Sequence, residues 1–164
     1  MCGMAELFAI LNIAVFVLSG VALTIVDCYF LRLPNRLIAA GLLLCVATAI
    51  PHALAAAEPE RLFAAVGGSA LAALQLLLLR LLAAAQLGMG DVKLGFLLGW
   101  QAGYWAGWWG STVALLLASL LLGSAALVVV LRRARAGPAA PTEFAAGPWL
   151  LAATLLTALW GLGR

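Results

Sequence analysis

Charge is what this chain has least of. Only 9% of its 164 residues are Asp, Glu, Lys or Arg, and 66% are hydrophobic. A soluble domain carries roughly 25% charged residues. There is too little polar surface to face water, and a mean hydropathy of +1.17 leaves the bilayer as solvent. A separate soluble domain is excluded on the same ground. Cysteine and histidine are scarce too. The three cysteines (Cys2, Cys28, Cys45) form no Cys-x-x-Cys pair, and His52 is the single histidine. No zinc-ligand spacing results, so neither a metal site nor a cofactor is expected. The cysteines read as small apolar packers. No Lys or Arg precedes the first apolar run, which therefore reads as a retained helix and not a cleaved signal peptide. The nine basic residues give a net charge of +3, yet they stand at the ends of apolar runs and form no nucleic-acid patch. No internal repeat suggests the paired halves of a transporter.

What is present is a series of apolar runs of span length. A membrane-crossing helix needs about 20 mostly apolar residues. Such runs cover residues 5–26, with Asn12 the one strongly polar interior residue, and 37–57, with Pro51 and His52 as an alternative end. Further runs cover 62–87, 92–109, 112–131 and a short 148–163, the last after a Gly/Pro-rich linker at 137–141. The fold expected is all-α, a single integral-membrane domain over 1–164 with about six transmembrane helices. Counting Lys and Arg on alternate sides gives seven on one (Arg32, Arg36, Arg80, Lys93, Arg132, Arg133, Arg135) and two on the other (Arg61, Arg164). Positive charge favours the cytoplasm, which puts both termini outside and Asp27 and Asp91 at one cytoplasmic membrane face. Those are the only aspartates in the chain.

Within the fourth run, Gly95, Gly99, Gly103 and Gly107 recur every four residues, a small-residue stripe along which a neighbouring helix can approach closely. Trp105, Trp108 and Trp109 at its outer end read as an interfacial aromatic belt.

Asp27 ends the first run, and Asp91 sits in Gly88-Met89-Gly90-Asp91-Val92-Lys93-Leu94. Two readings stand side by side. Asp91 can be an ordinary N-cap and Asp27 a residue in headgroup water. Alternatively the two form a carboxylate pair sharing one proton, the ionised member drawing a proton from attacking water and the protonated one donating to a peptide carbonyl. A carboxylate at the negative end of a helix dipole is an odd terminator, and a plain cap needs neither glycine. The dipoles favour Asp27 as the acid and Asp91 as the base. His52 falls on the outer side, so Ser or Cys nucleophiles at the inner face have no partner base. A small transporter or channel using the two aspartates as a proton relay is the alternative, although its acids belong nearer the midplane.

The combination resembles the type IV prepilin peptidase family of GxGD aspartic proteases: Asp27 seven residues ahead of Pro34-Asn35, then Gly88-x-Gly90-Asp91-x-Lys93-Leu94. The segment from Glu143 to Leu150 is loosely similar to the one before that family's last span. The resemblance implies a membrane aspartic endopeptidase of the bacterial inner membrane. It cleaves short basic leaders from prepilin or pseudopilin precursors at the cytoplasmic face, with Asp27 and Asp91 as the catalytic pair. Gly88 and Gly90 then admit substrate backbone, Lys93 meets a substrate carboxylate or serves as a positive anchor, and Pro34 and Asn35 shape the site. The larger members' Cys-x-x-Cys region, which goes with N-methylation, has no counterpart here. The chain therefore looks like the small peptidase-only members that serve tight-adherence or related pilus systems. The partners implied are prepilin substrates and lipid, without nucleic acid.

Overall fold

The computed structural model describes residues 2–30, 34–82, 88–136 and 147–163. They form six helices: α1 (Cys2–Phe30), α2 (Asn35–Ala56), α3 (Glu60–Leu82), α4 (Met89–Ala106), α5 (Gly110–Ala136) and α6 (Gly147–Leu162). Each expected run has become one helix, and the described chain is all-α. Three of the helices, α2, α3 and residues 3–27 of α1, are long and apolar enough to cross a membrane. At 1.5 Å per residue, α4 with 18 residues and α6 with 16 reach about 27 and 24 Å, a little short of a hydrocarbon layer of about 30 Å. The linker at 137–141, the Glu143–Ala146 part of the late segment and the side chains of Arg132, Arg133 and Arg135 lie outside the described residues, as does Arg32. Pro51 does not end α2. The helix runs on through His52 to Ala56 and closes at Ala57, whose left-handed φ of 58° turns the following N–H, that of Glu58, back to Ala53 O at 2.9 Å.

α4 is the centre of the bundle. It packs on α3, α6, α2 and α5, and its residues from Leu94 to Trp105 are buried all round apart from Phe96, as expected of a helix with no lipid-facing stripe. The other helices turn large apolar residues outward, among them Leu18, Leu43, Phe63 and Leu120. That surface suits acyl chains. Between α3 and α4 the glycine stripe brings backbones into contact. A Cβ on Gly68 would meet Gly99 O at 2.6 Å and Gly103 Cα at 2.8 Å, and one on Gly103 would meet Ala64 O at 2.5 Å. A Cβ on Gly95 would meet Leu76 Cδ1 at 2.8 Å and Ala73 Cα at 3.3 Å, and one on Gly99 would run into the Gly68 carbonyl and Ala72 Cβ. Gly107 is the exception to the expected stripe. A Cβ there would meet nothing within 4 Å, and the residue instead ends α4 with a φ of 76°, a conformation natural to glycine.

Trp105 also departs from expectation. It is buried, with its indole N–H donating to Asn12, whereas Trp108 and Trp109 are 57% and 60% exposed and fit the interfacial belt. Beside Trp105, Tyr104 donates its hydroxyl to Ala49 O at 3.0 Å and lies 2.6 Å from His52 Nδ1. With the tyrosine proton so committed, His52 is the donor at Nδ1. Arg61 covers the Trp105 ring at 5.6 Å and pairs with Glu58 at 2.6 Å. Cys45 is a buried packer as read from sequence, while the side chains of Cys2 and Cys28 are outside the described set.

Candidate active site

α1 does not stop before Asp27. The helix continues to Phe30, so the carboxylate sits in its last turn, one turn beyond the fully buried Leu23, and is itself only 8% exposed. α2 starts nearby. Pro34 is its N-cap, extended at φ −69° and ψ 126° with no side-chain cap bond, and its carbonyl accepts from the N–H groups of Leu37 and Ile38 at 3.0 and 3.3 Å. Proline suits this place because it has no N–H to leave unpaired. Asn35, the first helical residue, uses its side chain toward α4, where Lys93 Nζ donates to Asn35 Oδ1 at 3.0 Å. The Pro-Asn pair and the Gly-x-Gly-Asp-x-Lys stretch therefore meet directly, across 58 positions of sequence.

Asp91 is not the N-cap of α4. That position belongs to Gly88, extended at φ −63° and ψ 145°, and Asp91 stands three residues on, in the first helical turn. Its N–H donates to Gly88 O at 3.1 Å, and its carboxylate accepts from the Gly88 backbone N–H. This is the carboxylate half of a capping box. Gly88 does not adopt a positive φ, so backbone freedom is not its use. Space is. A Cβ there would lie 3.3 Å from Asp91 Oδ2, crowding the carboxylate from the side on which it is held.

The structure brings the two aspartates within electrostatic reach. Asp91, in the polar turn just ahead of the fourth span, has its carboxyl raised above the usual carboxylate value. Burial is the larger cause, and the negative charge of Asp27 adds to it, against the one bond from Gly88 that favours ionisation. A helix N-terminus favours a carboxylate, but here loss of solvent and a like charge outweigh it. Asp27, Asp91, Asn35 and Lys93 therefore share one end of the bundle, with His52, Glu58, Arg61 and the two exposed tryptophans near the other. Gly90 lies in the first turn of α4, partly buried.

Among the described residues no three His, Cys, Asp or Glu side chains come together as metal ligands. The apolar cleft between α1 and α6, where Gly20, Thr24 and Leu151 face one another, contains no ionisable group. Among the described residues, the reactive candidate at this end of the bundle is the pair of acids, Asp27 and Asp91. Such a pair can take a proton from water and give one to a carbonyl oxygen in the same step.

The model of the type IV leader peptidase family matches residues 14–128, well over half of the chain and inclusive of both aspartates. No curated protein and no solved structure matches the chain.

Proposed function

The chain belongs to the type IV leader peptidase family and is thus a membrane-embedded peptidase; from that premise we propose that it is an aspartic endopeptidase using Asp27 and Asp91. Its substrates are prepilin-like precursors, cut between a short basic leader and the hydrophobic helix that follows. The observation that carries this reading is the position of its two aspartates. They come from helix ends 64 positions apart in sequence, and yet both lie at one end of the bundle, where Lys93 near the start of α4 meets Asn35 at the start of α2. The seven-to-two distribution of Lys and Arg supports a cytoplasmic position for that end, in a bacterial inner membrane with both termini outside.

In the reaction Asp91 carries the shared proton and donates it to the carbonyl oxygen of the scissile peptide. Asp27 takes a proton from the water whose oxygen bonds to the carbonyl carbon. The tetrahedral adduct then collapses. Its C–N bond breaks, the leaving amine receives the proton held by Asp27, and a hydroxyl proton of the adduct returns to Asp91. The pair ends as it began, with no cofactor consumed. Lys93, which donates to Asn35 at 3.0 Å, stands at the same end of the bundle and serves to meet a substrate carboxylate.

The test is co-expression with a tagged prepilin, comparing the wild-type chain with Asp27→Asn and Asp91→Asn. Leader removal is expected to fall below detection in both variants at unchanged membrane levels. Normal processing by either one would refute the assignment.

A further inference from the structure

α1 carries Asp27 and α4 carries Asp91, but these helices make little direct backbone contact. α1 packs mainly on α2 and to a smaller extent on α6. Something else has to fix how far along its axis α1 lies relative to α4. A buried cluster of hydrogen bonds joins the two. Asn12 of α1 is 0% exposed, and its side-chain oxygen accepts from Gln101 Nε2 at 2.9 Å and from Trp105 Nε1 at 3.1 Å, both on α4. Its amide nitrogen donates to Cys45 O at 2.9 Å and Thr48 Oγ1 at 2.8 Å, both on α2. All four hydrogen-bonding positions of the amide are used. Gln101 has no comparable set of partners. It is fully buried, and its own Oε1 is unpaired among the described residues, so the bond to Asn12 is what it is placed for.

The spacing along the helices links this node to the aspartates. α2 runs parallel to α4, since Asn35 meets Lys93 and Ala49 meets Tyr104. It runs antiparallel to α1, since Asn12 meets Cys45 and Thr48 while Ser19 lies against Gly41. α1 and α4 are therefore antiparallel. Asp27 lies fifteen residues beyond Asn12, and Asp91 lies ten and fourteen residues before Gln101 and Trp105. At 1.5 Å per residue those arms are about 22 Å on α1 and about 15 to 21 Å on α4. Arms of similar length from a common node bring both carboxylates to one depth. A slip of one helical turn would displace Asp27 by about 5.4 Å along the axis.

We propose that Asn12 is a positioning residue that sets the axial register of α1 against α4 and so holds Asp27 level with Asp91. The proposal rests on the reading of that pair as the peptidase centre. Its register component is independent of the reaction, so the two are measured separately.

The test uses the full-length chain in detergent with its three cysteines replaced. Spin labels go on Tyr29→Cys and Met89→Cys, exposed positions at the inner ends of α1 and α4, and the distance distribution between them is recorded. Asn12→Leu is expected to shift or broaden it, and so is Gln101→Leu combined with Trp105→Phe, which leaves Asn12 and its α2 bonds in place. Thr48→Val, which removes an α2 partner only, is expected to leave the distribution where it was. In unlabelled protein the first two variants are expected to lose cleavage by about 10²-fold in kcat, the scale of a misplacement near 1 Å, with KM little changed.

Unchanged distances in both α4-directed variants would overturn the register lock. Thr48→Val shifting them equally would overturn its α4 specificity. A clear shift with normal kcat would show that the register does not position the catalytic pair. Should Asn12→Leu fail to reach the membrane, the Gln101 and Trp105 variant carries the measurement. The peptidase reading fails separately, on processing by Asp27→Asn, whatever the labels show.

Discussion

Gly67 and Gly68 are adjacent in α3, and the structure assigns them opposite responses to the same substitution. A Cβ on Gly67 would find its nearest neighbour, Trp108 Cβ, at 3.9 Å, which is ordinary contact. Replacing a mid-helix glycine by alanine contributes about 0.5–1 kcal/mol through helix propensity, so Gly67→Ala is expected to be neutral to mildly stabilising. On Gly68 the same methyl would lie 2.6 Å from Gly99 O and 2.8 Å from Gly103 Cα. Both are backbone atoms that cannot rotate aside. Ordinary contact begins at 3.4 Å, so α3 and α4 must part by about 0.8 Å. Overpacking of this kind costs about 1–3 kcal/mol, which cancels the propensity gain and leaves Gly68→Ala the less stable by that amount. At this chain length each kcal/mol is worth about 2–4 °C of Tm. Thermal unfolding in detergent, followed by reaction of a thiol dye with buried Cys45 in a chain lacking Cys2 and Cys28, separates the two variants. A Tm for Gly68→Ala at or above that of Gly67→Ala would refute the backbone-contact account of the α3–α4 interface.

Two further outcomes follow from the polar groups. Tyr104→Phe is expected to cost about 1–3 kcal/mol, because His52 Nδ1 is left without its acceptor inside the bundle; adding His52→Phe should recover part of that loss, and a double variant no more stable than the single one would contradict the coupling. Asp91 is expected to hold its proton to higher pH than an ordinary aspartate, through burial first and the Asp27 charge second. A raised folded-state value means that this group stabilises the fold relative to its ionised form at low pH, and that the contribution is lost as pH rises from the usual carboxylate range through the raised value. Labelling of Asp91 by a hydrophobic carbodiimide, which requires the protonated acid, should therefore persist above the ordinary range. In Asp27→Asn its midpoint should move to lower pH, and an unmoved midpoint would show that the two carboxylates do not interact.

The helices were legible because their signal is composition: an apolar run of span length has few other ways to fold in lipid. The meeting of Asn35 with Lys93 lies beyond composition. Only the motif spacing suggested that residues 34–35 and 88–94 belong to one site. Errors arose where a residue's face or depth had to be guessed. Trp105 shares its type and neighbourhood with Trp108 and Trp109, but it points inward to Asn12, and nothing in one dimension separates the three. Gly107 keeps the four-residue period of the stripe after the helix has ended. For Asp91 the sequence left a plain cap and half of a carboxylate pair side by side; the helix in fact begins at Met89, with Gly88 as its cap. The dipole argument at Asp91 weighs one force and leaves out burial, which depends on neighbours contributed by the whole bundle. Asn12 did stand out as the polar residue of the first run. Its four partners, however, are spread from Cys45 to Trp105 and carry no common motif.

The two aspartates are held by different means, and this follows from where each helix finds its packing. Asp91 begins the helix that is buried on nearly every side, locked to α3 by contacts between backbone atoms and tied to α2 at Lys93. Little at that end can move without disturbing the core. Asp27 ends a helix whose outward face is lined by Leu7, Ile10, Leu18 and Val21, residues that meet lipid and give no directional hold. Apolar contacts with lipid and with α2 resist separation of α1 from the bundle but discriminate weakly between axial positions, because one aliphatic side chain substitutes readily for another a turn away. Hydrogen bonds to a buried amide do discriminate, since a displaced partner leaves unpaired groups at a cost of about 1–3 kcal/mol each. In a bundle this apolar, register has to come from its few polar residues, and Asn12, fully buried in the middle of α1, is one that reaches α4.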